Sequence, residues 1–391
     1  MARILKEEVT AKQLLELIPD EEFTSIIKDT EVDYQVKKLY GRNLFYLLLY
    51  GLMESYRVSL RSLEDVYKSK KFKFLFNLNN KQSVKFNTIS ARLSNVNLEF
   101  FEKTYQMVYS RFSLLIPNEN ALSYKVTRVD STMVCEVANK IEEGMLLSNQ
   151  HTKRKHIKYT ISLTELFPSS VEVFTQQAAL SDDIAIPKVI LKNLDKKADN
   201  IFVFDRGVQS RERFTEMSNE NLSFVTRMKF PTRHELIDEF ALPENLKIGN
   251  LNITHDQKVF LFGDHKKYTS PFRLIKTTNE NNEPIWFLTN NFNLTINEII
   301  EIYKRRWDIE VFFRFIKQEL NFKHFMSTNI NGIKIILYMT LILAMLIIMF
   351  KKLNNVGYKT AKRRFYYQLD DLILDMVYVL AKQYPDFVYR L

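Results

Sequence analysis

The chain has 391 residues, of which 46% are hydrophobic and 13% aromatic; this composition excludes a disordered chain and predicts two or three folded domains. Lysine and arginine outnumber aspartate and glutamate by 56 to 46, which favours a polyanionic partner. The single cysteine, Cys135, excludes an internal disulfide and is typical of a reducing compartment, so we expect a cytoplasmic protein.

Residues 1–115 have apolar spacing typical of helices. Within them, residues 57–92 carry nine basic side chains against two acidic ones. The stretch SVKFNTISARLSNVN, residues 83–97, resembles the second helix of a helix-turn-helix unit, although any small helical bundle gives a similar pattern. Because the basic patch overlies this stretch, we expect residues 1–115 to be a helical N-terminal DNA-binding region.

Residues 120–229 change to a strand-rich pattern, with three strands, a helix, a strand, a helix and a strand in that order. This order predicts the first part of an α/β core. Asp130 and Asp205 lie at or near the ends of apolar strands, where an ionised carboxylate is costly without a partner. Taken singly, each aspartate is explained more simply as a cap or turn residue.

Residues 230–294 are predicted to be a β-rich insertion, with strands at KVFLFG, FRLIKT and IWFLTN. Trp286 in this segment and the later Trp307 are candidates for stacking on unpaired or flipped bases, with a place in the core as the alternative. Arg227 and Lys229, just before the insertion, are candidates for contacts with a DNA backbone or ordinary charges at a strand end.

Helix resumes at residue 295, where TINE forms a capping box. If residues 303–320 form one helix, an arc of about 60° contains Tyr303, Arg306, Glu310 and Lys317. Apolar side chains border this stripe on both sides, which is unlike a solvated helix face. The alternative is an ordinary ion pair between Arg306 and Glu310, which contributes only about 0.2 to 0.5 kcal/mol.

The most hydrophobic run, IILYMTLILAMLIIMF, occupies residues 335–350. Its length is below the ~20 residues needed to span a bilayer, so we expect a buried core helix and no membrane partner. Residues 295–350 are therefore predicted to complete the α/β core with helices. Residues 351–391 are predicted to form a helical C-terminal tail.

Three carboxylates are candidates for a common site: Asp130, Asp205 and Glu310. They converge if the two strands are neighbours in a sheet and the helix packs across them. Oxygen donors without histidine or thiolate suit Mg²⁺ or Mn²⁺, and two such ions about 4 Å apart can catalyse phosphodiester displacement. The sequence contains no GxxxxGK or GxGxxG loop for a nucleotide.

Three motifs now carry a family resemblance: VDST around Asp130, FDRG around Asp205, and Tyr303-x2-Arg306-x3-Glu310-x6-Lys317. Together they resemble the DDE transposases of the IS4 family, and the third matches the family's Y-R-E-K signature. The resemblance covers residues 120–350. It implies an RNase H-like, retroviral-integrase-like core with a mixed sheet, interrupted by the insertion.

The resemblance implies that Asp130, Asp205 and Glu310 bind two Mg²⁺ or Mn²⁺ ions, while Tyr303, Arg306 and Lys317 hold phosphates of DNA. The implied protein binds terminal inverted repeats in double-stranded DNA, cleaves there, and transfers the 3′-hydroxyl end to target DNA. A homodimer in a synaptic complex is the implied assembly. Alternatives are an RNase H-like nuclease without strand transfer and a domesticated DNA-binding regulator.

Overall fold

A computed structural model describes residues 8–54, 58–79, 81–116, 124–135, 141–147, 154–192, 200–263 and 266–383. The helices within these ranges are α1 (Ala11–Glu16), α2 (Asp20–Asp29), α3 (Gly41–Glu54), α4 (Leu60–Lys68), α5 (Lys70–Leu75), α6 (Phe86–Asn95), α7 (Leu98–Leu115), α8 (Asp182–Lys192), α9 (Arg211–Asn219), α10 (Ile296–Lys304), α11 (Trp307–Glu319), α12 (Ile330–Asn354) and α13 (Tyr358–Gln383).

The strands are β1 (Lys125–Cys135), β2 (Met145–Leu146), β3 (Lys155–Thr164), β4 (Phe167–Phe174), β5 (Asn200–Val203), β6 (Ser223–Met228), β7 (His234–Glu239), β8 (Lys247–Ile248), β9 (Leu251–Phe262), β10 (Lys267–Thr278) and β11 (Pro284–Thr289). The described residues fall into two compact units. We call residues within 1–117, 138–142 and 314–391 the helical unit, and residues within 118–137 and 143–313 the sheet unit.

The helical unit is built around α12, which packs against α7, α13, α3 and α6. Capping side chains set the start of several helices: Thr10, Ser59, Asn97 and Asn329 each accept a hydrogen bond from a backbone N–H in the first turn. The helical character predicted for residues 1–115 and for the tail is therefore present in the described residues.

The apolar helix α12 differs from its prediction in length. It has 25 residues, not 16, because Asn329 caps it six residues before the apolar run and Lys351 and Lys352 continue its last turn. By length and composition alone it could therefore cross a bilayer, so the argument from shortness is wrong. Its burial indicates a core helix instead, since 83% of its most apolar window lies inside the fold.

The sheet unit contains a mixed 11-stranded sheet with the order β2-β3-β1-β5-β6-β11-β10-β9-β7, with β4 beside β3 and β8 beside β9. β1, β5 and β6 run parallel, and the other pairings are antiparallel. The chain order of strands and helices predicted for 120–229 is present apart from the short β2, which was not predicted, and an α/β fold with a mixed sheet is confirmed.

The predicted insertion is not a separate sheet. Its last strand, β11, pairs with β6, so β7 to β11 extend the central sheet sideways. The buried pair Arg273–Asp256 joins β10 to β9, with Arg273 Nε and Nη2 donating to the carboxylate at 2.8 and 2.6 Å. The same guanidinium donates to the backbone oxygen of Leu294, just before α10. The insertion thus supports the start of that helix.

Two apolar layers flank the central strands because side chains alternate across a sheet. Phe202 and Phe224 face a core built with α8 and α9, while Val203 and Val225 face a core built with α10. Val126 on β1 belongs to the second core. The even-numbered side chains of β1 around it therefore lie on the α10 side. The five-segment division of the sequence stays a prediction.

Candidate active site

Asp130 lies in the middle of β1 rather than at its end, so the expectation of a strand end is wrong for this residue. Asp130 nevertheless lies beside the end of a strand, because its neighbour β5 ends close to it. The β1–β5 pairing stops at Arg128 opposite Val203, while β1 continues past it against β3. Asp130 therefore stands just beyond the end of its parallel neighbour, where the sheet leaves room for other side chains.

Asp205 follows β5 by two residues, in the turn that the FDRG motif predicts. The Gly207 N–H donates to Asp205 Oδ1 at 2.8 Å, and the Thr226 hydroxyl donates to the Asp205 backbone oxygen at 3.2 Å. A Cβ at position 207 would stand 2.7 Å from Asp205 Oδ1 and 3.0 Å from Asp182 Oδ2. Any other residue there would displace the Asp205 carboxylate from its present position.

Asp130 and Asp205 interact electrostatically. Burial raises the pKa of Asp130 to about 7, and the negative charges of Asp205 and Asp182 add to this rise. The Ser131 backbone N–H, 2.7 Å from Asp130 Oδ1, and the Arg306 guanidinium oppose it. The two predicted aspartates are thus brought together, in a setting where a carboxylate without a cation is poorly stabilised.

The segment with Tyr303 and Glu310 is not one helix, so the single continuous stripe is wrong. The capping box at Thr295 and Glu298 is present and starts α10, but α10 ends at Lys304 and α11 begins at Trp307. Arg306 lies in the turn between them and donates from Nη2 to Glu310 Oε1 at 2.6 Å. The ion pair considered as the alternative therefore exists.

Tyr303 lies beside Arg227 and near Asp205. The Arg227 guanidinium carbon is 5.9 Å from the centre of the Tyr303 ring. Burial raises the pKa of Tyr303, with Arg306 and Arg227 lowering it and the Asp205 carboxylate adding to the rise. Four predicted site residues, Tyr303, Arg306, Arg227 and Asp205, are therefore electrostatic neighbours.

The remaining predicted DNA contacts are more scattered. Trp286 on β11 is half-buried, with Phe230 and His234 edge-on at 5.1 and 5.7 Å and Lys276 over its ring at 5.0 Å. Trp307, at the start of α11, is 53% exposed, and Lys229 is exposed just after β6. Lys317 is on the part of α11 that belongs to the helical unit.

Sequence reasoning missed Asp182 and Arg128. Asp182 begins α8 and pairs with the buried Lys158 at 2.7 Å, and its charge reaches Asp130. Arg128 is buried two residues before Asp130 and pairs with Asp308 at 2.9 Å. The signal for Arg128 was present, since residues two apart on a strand share a face. Asp182 resembled an ordinary helix-starting aspartate.

The three predicted metal ligands do not form a closed set. Within the described ranges, no three His, Cys, Asp or Glu side chains are arranged so that they could hold a metal ion. Asp130 and Asp205 are neighbours, whereas Glu310 is engaged by Arg306. Binding of all three carboxylates to one centre would require these side chains to move closer together.

Comparisons with known proteins identify the family of the chain. A family model described as a transposase DDE domain matches residues 147–346, a range that contains Asp205, Tyr303, Arg306, Glu310 and Lys317 and begins after Asp130. A probable transposase for insertion sequence element IS5377 of Geobacillus stearothermophilus is 22% identical over 253 residues, 63% of this chain and 62% of that protein.

A putative transposase for insertion sequence element IS4SA of Synechocystis sp. is 28% identical over 151 residues, 38% of this chain and 40% of that protein. The putative transposase y4zB of Sinorhizobium fredii is 27% identical over 160 residues, 40% of this chain and 44% of that protein. The chain thus spans about three fifths of the first relative's length and under half of the other two.

Among solved structures, the piggyBac transposase in its synaptic complex with hairpin DNA has a TM-score of 0.51 to this chain at 9% identity. The match covers 96% of this chain and 83% of that one. At so low an identity the likeness concerns the fold alone, and it agrees with the predicted core.

Proposed function

This chain belongs to the transposase DDE domain family, and from that premise we propose that it is the DNA transposase of an insertion sequence. It binds the terminal inverted repeats of double-stranded DNA, hydrolyses phosphodiester bonds there and joins the freed 3′-hydroxyl to target DNA. One observation carries the proposal: Asp130 and Asp205 are electrostatic neighbours beside the Tyr303–Arg306–Glu310 segment. We place this activity in the cytoplasm.

Divalent metal ions are general cofactors of this family, and the carboxylates fit such ions. Asp130 is half-buried near two other carboxylates and its pKa is raised to about 7, which is the setting that a bound cation relieves. The donors are oxygens, as Mg²⁺ and Mn²⁺ prefer. We propose two ions held by Asp130, Asp205 and Glu310, which would activate the attacking oxygen and neutralise the leaving one.

Arg306 links DNA binding to completion of this site. Its guanidinium now donates to Glu310 at 2.6 Å, and guanidinium groups also bind phosphate in a bidentate manner. A phosphate of the DNA end that takes over Arg306 releases Glu310 toward the aspartates. Tyr303, Arg227, Lys229 and Lys317 would bind neighbouring phosphates. Trp286 and Trp307 would stack on unpaired bases.

Recognition of the element's ends is assigned to α6 of the helical unit. Its exposed side chains fall within an arc of about 100°: Asn87, Thr88, Ala91 and Asn95. These are small polar or methyl groups that can approach base edges in a major groove. Three lysines in residues 69–98, Lys70, Lys81 and Lys85, are exposed and complement a phosphate backbone, whereas Lys73 is buried and Arg92 donates to backbone oxygens of the fold. A homodimer then holds two ends in one synapse.

The surface on α6 is tested by binding of the intact chain to the element's end and to a scrambled duplex. Asn87→Ala should reduce the preference for the end, because it removes a base contact, while Lys85→Ala should weaken both complexes alike. Lys12→Ala, an exposed lysine on α1, serves as the control. Equal preference in wild type and Asn87→Ala would place recognition elsewhere.

The catalytic proposal is tested by incubating a labelled duplex carrying the element's end with Mg²⁺ and the intact chain. We expect cleavage and joined products from the wild type, and binding without cleavage from Glu310→Gln. Glu301→Gln, which alters an exposed carboxylate on α10, should cleave normally. Cleavage without joined products would identify a nuclease. Binding without cleavage under any divalent metal would identify a DNA-binding regulator.

A further inference from the structure

We propose that Arg128 is a positioning residue that fixes the α10–α11 turn, and with it Arg306 and Glu310, against the strand that carries Asp130. This inference rests on the proposed function and adds to it a residue outside the three family motifs. Arg128 and Asp130 stand two positions apart on β1 and thus share one face of the sheet. The same face receives α10.

The guanidinium of Arg128 donates hydrogen bonds to three segments of the chain. Toward the turn, Nε donates to the Arg305 backbone oxygen at 3.2 Å and Nη2 to Asp308 Oδ2 at 2.9 Å. Toward the sheet, Nη1 donates to the backbone oxygens of Val126 at 3.1 Å and Glu165 at 2.9 Å. One side chain therefore connects the start of β1, the β3–β4 turn and the α10–α11 turn.

The turn is held mainly by hydrogen bonds between residues three apart, besides the one from the Arg305 N–H to the Glu301 oxygen at 3.3 Å. The Arg306 N–H donates to the Tyr303 oxygen and the Asp308 N–H to the Arg305 oxygen, both at 3.0 Å, in place of continuous helical bonding. Two helices joined in this way can change their mutual angle. A shift there would carry Arg306 and Glu310 away from the aspartates.

Arginine suits this task better than any other side chain. The Arg128 side chain is 4% exposed, so its charge and donors depend on protein partners. Its planar fork directs donors to four acceptors at once, which a lysine ammonium cannot match in geometry. Asp308 is 54% exposed and pairs with Arg128 at 2.9 Å, and the negative charge of Glu165 also favours the charged guanidinium. Most of the connection is therefore made through backbone oxygens.

The test compares four variants of the full chain: Arg128→Met, Arg128→Lys, Asp308→Asn and Thr127→Val. Thr127 is the matched control, because it precedes Arg128 on β1, is buried, and joins Thr164 and Asn200 at 2.8 Å without touching the turn. Mn²⁺ binding is measured by calorimetry on the complex with an uncleavable duplex of the element's end, with the duplex alone as the blank, because Glu310 is proposed to reach the aspartates only when DNA holds Arg306. The same samples are then used to measure cleavage, binding of the element's end, and hydrogen exchange of the Asp308 and Ile309 amides.

We expect Arg128→Met to weaken Mn²⁺ binding by about tenfold or more and cleavage in proportion, as losses of supporting residues around metal sites do. Its affinity for the end should be unchanged, and the two amides should exchange faster. Arg128→Lys should lie in between, and Asp308→Asn close to wild type. Thr127→Val should lower thermal stability while Mn²⁺ affinity and amide exchange stay as in wild type.

The positioning role is overturned if Arg128→Met keeps the Mn²⁺ affinity of the wild type. It is also overturned if Thr127→Val, with an equal loss of stability, weakens Mn²⁺ binding as much as Arg128→Met does. If Arg128→Met does not fold, Arg128→Lys decides by the same criteria. If the wild-type chain binds Mn²⁺ and cleaves DNA, and the Arg128 variants do so equally well, this inference alone is refuted. A wild-type chain that neither binds Mn²⁺ nor cleaves refutes the proposed function, and this inference with it.

Discussion

Replacement of Asp130 by asparagine should stabilise the metal-free protein. The pKa of Asp130 is raised from 3.8 to about 7, chiefly by burial. An acid with a higher pKa in the folded protein binds its proton more tightly when folded, so stability falls as pH rises between the two values. Well above pH 7 Asp130 is fully ionised, and the whole free-energy cost of keeping its charge in the folded protein is present. Asparagine keeps an acceptor for the Ser131 N–H and carries no charge.

The size of the effect follows from the two pKa values. A pKa unit corresponds to about 1.4 kcal/mol, so the rise from 3.8 to about 7 corresponds to about 4 kcal/mol at full ionisation. We expect Asp130→Asn and wild type to be equally stable near pH 4. The gap should grow between pH 4 and 7 and then remain constant, at a value on the order of 4 kcal/mol.

The assay is urea unfolding with EDTA at pH 4, 5.5, 7 and 8.5. Unfolding is followed by the fluorescence of Trp286 and Trp307, which both lie in the sheet unit. Asp238→Asn, an exposed aspartate on β7, controls for removal of a negative charge as such. The reasoning is refuted if Asp130→Asn is no more stable than wild type at pH 8.5, or if the gap narrows as pH rises.

Three further changes test neighbouring parts of the sheet unit. Mg²⁺ should raise the melting temperature of wild type and leave Asp130→Asn unchanged in a thermal scan, because binding to the folded state stabilises it. Gly207→Ala should weaken Mn²⁺ binding in calorimetry, since its methyl group would meet Asp205 Oδ1 at 2.7 Å. Unchanged Mn²⁺ affinity would contradict the idea that this methyl group displaces the Asp205 carboxylate. Arg273→Met should lower the free energy of unfolding by about 3 to 5 kcal/mol in urea, because it leaves the buried Asp256 carboxylate unpaired; a loss under 1 kcal/mol would contradict this.

The match of residues 147–346 to the transposase DDE domain, together with relatives from insertion sequences, confirms the resemblance to IS4-family enzymes. The motifs sufficed for this because their spacing is a property of the chain itself. The roles assigned to individual residues stay predictions. The raised pKa of Asp130 and its nearness to Asp205 are the observations that support them.

Local structure could be predicted from the sequence. The capping box at Thr295, the strand character of β1 and the turn at Gly207 depend on side chains within a few residues of each other. The sequence also identified Arg306 and Glu310 as neighbours, because they are four residues apart. Each of these features follows from backbone geometry over one or two turns.

Other features required the tertiary structure, because strand partners and helix packing join residues far apart in the chain. The register of β1 on β5 places Asp130 beside the end of its neighbour, and the pairing of β11 with β6 makes the insertion part of the central sheet. Arg128 became significant only when residue 308 was found against it, 180 positions along the chain. The sequence by itself determined which groups could do the chemistry, and long-range packing decided which of them meet.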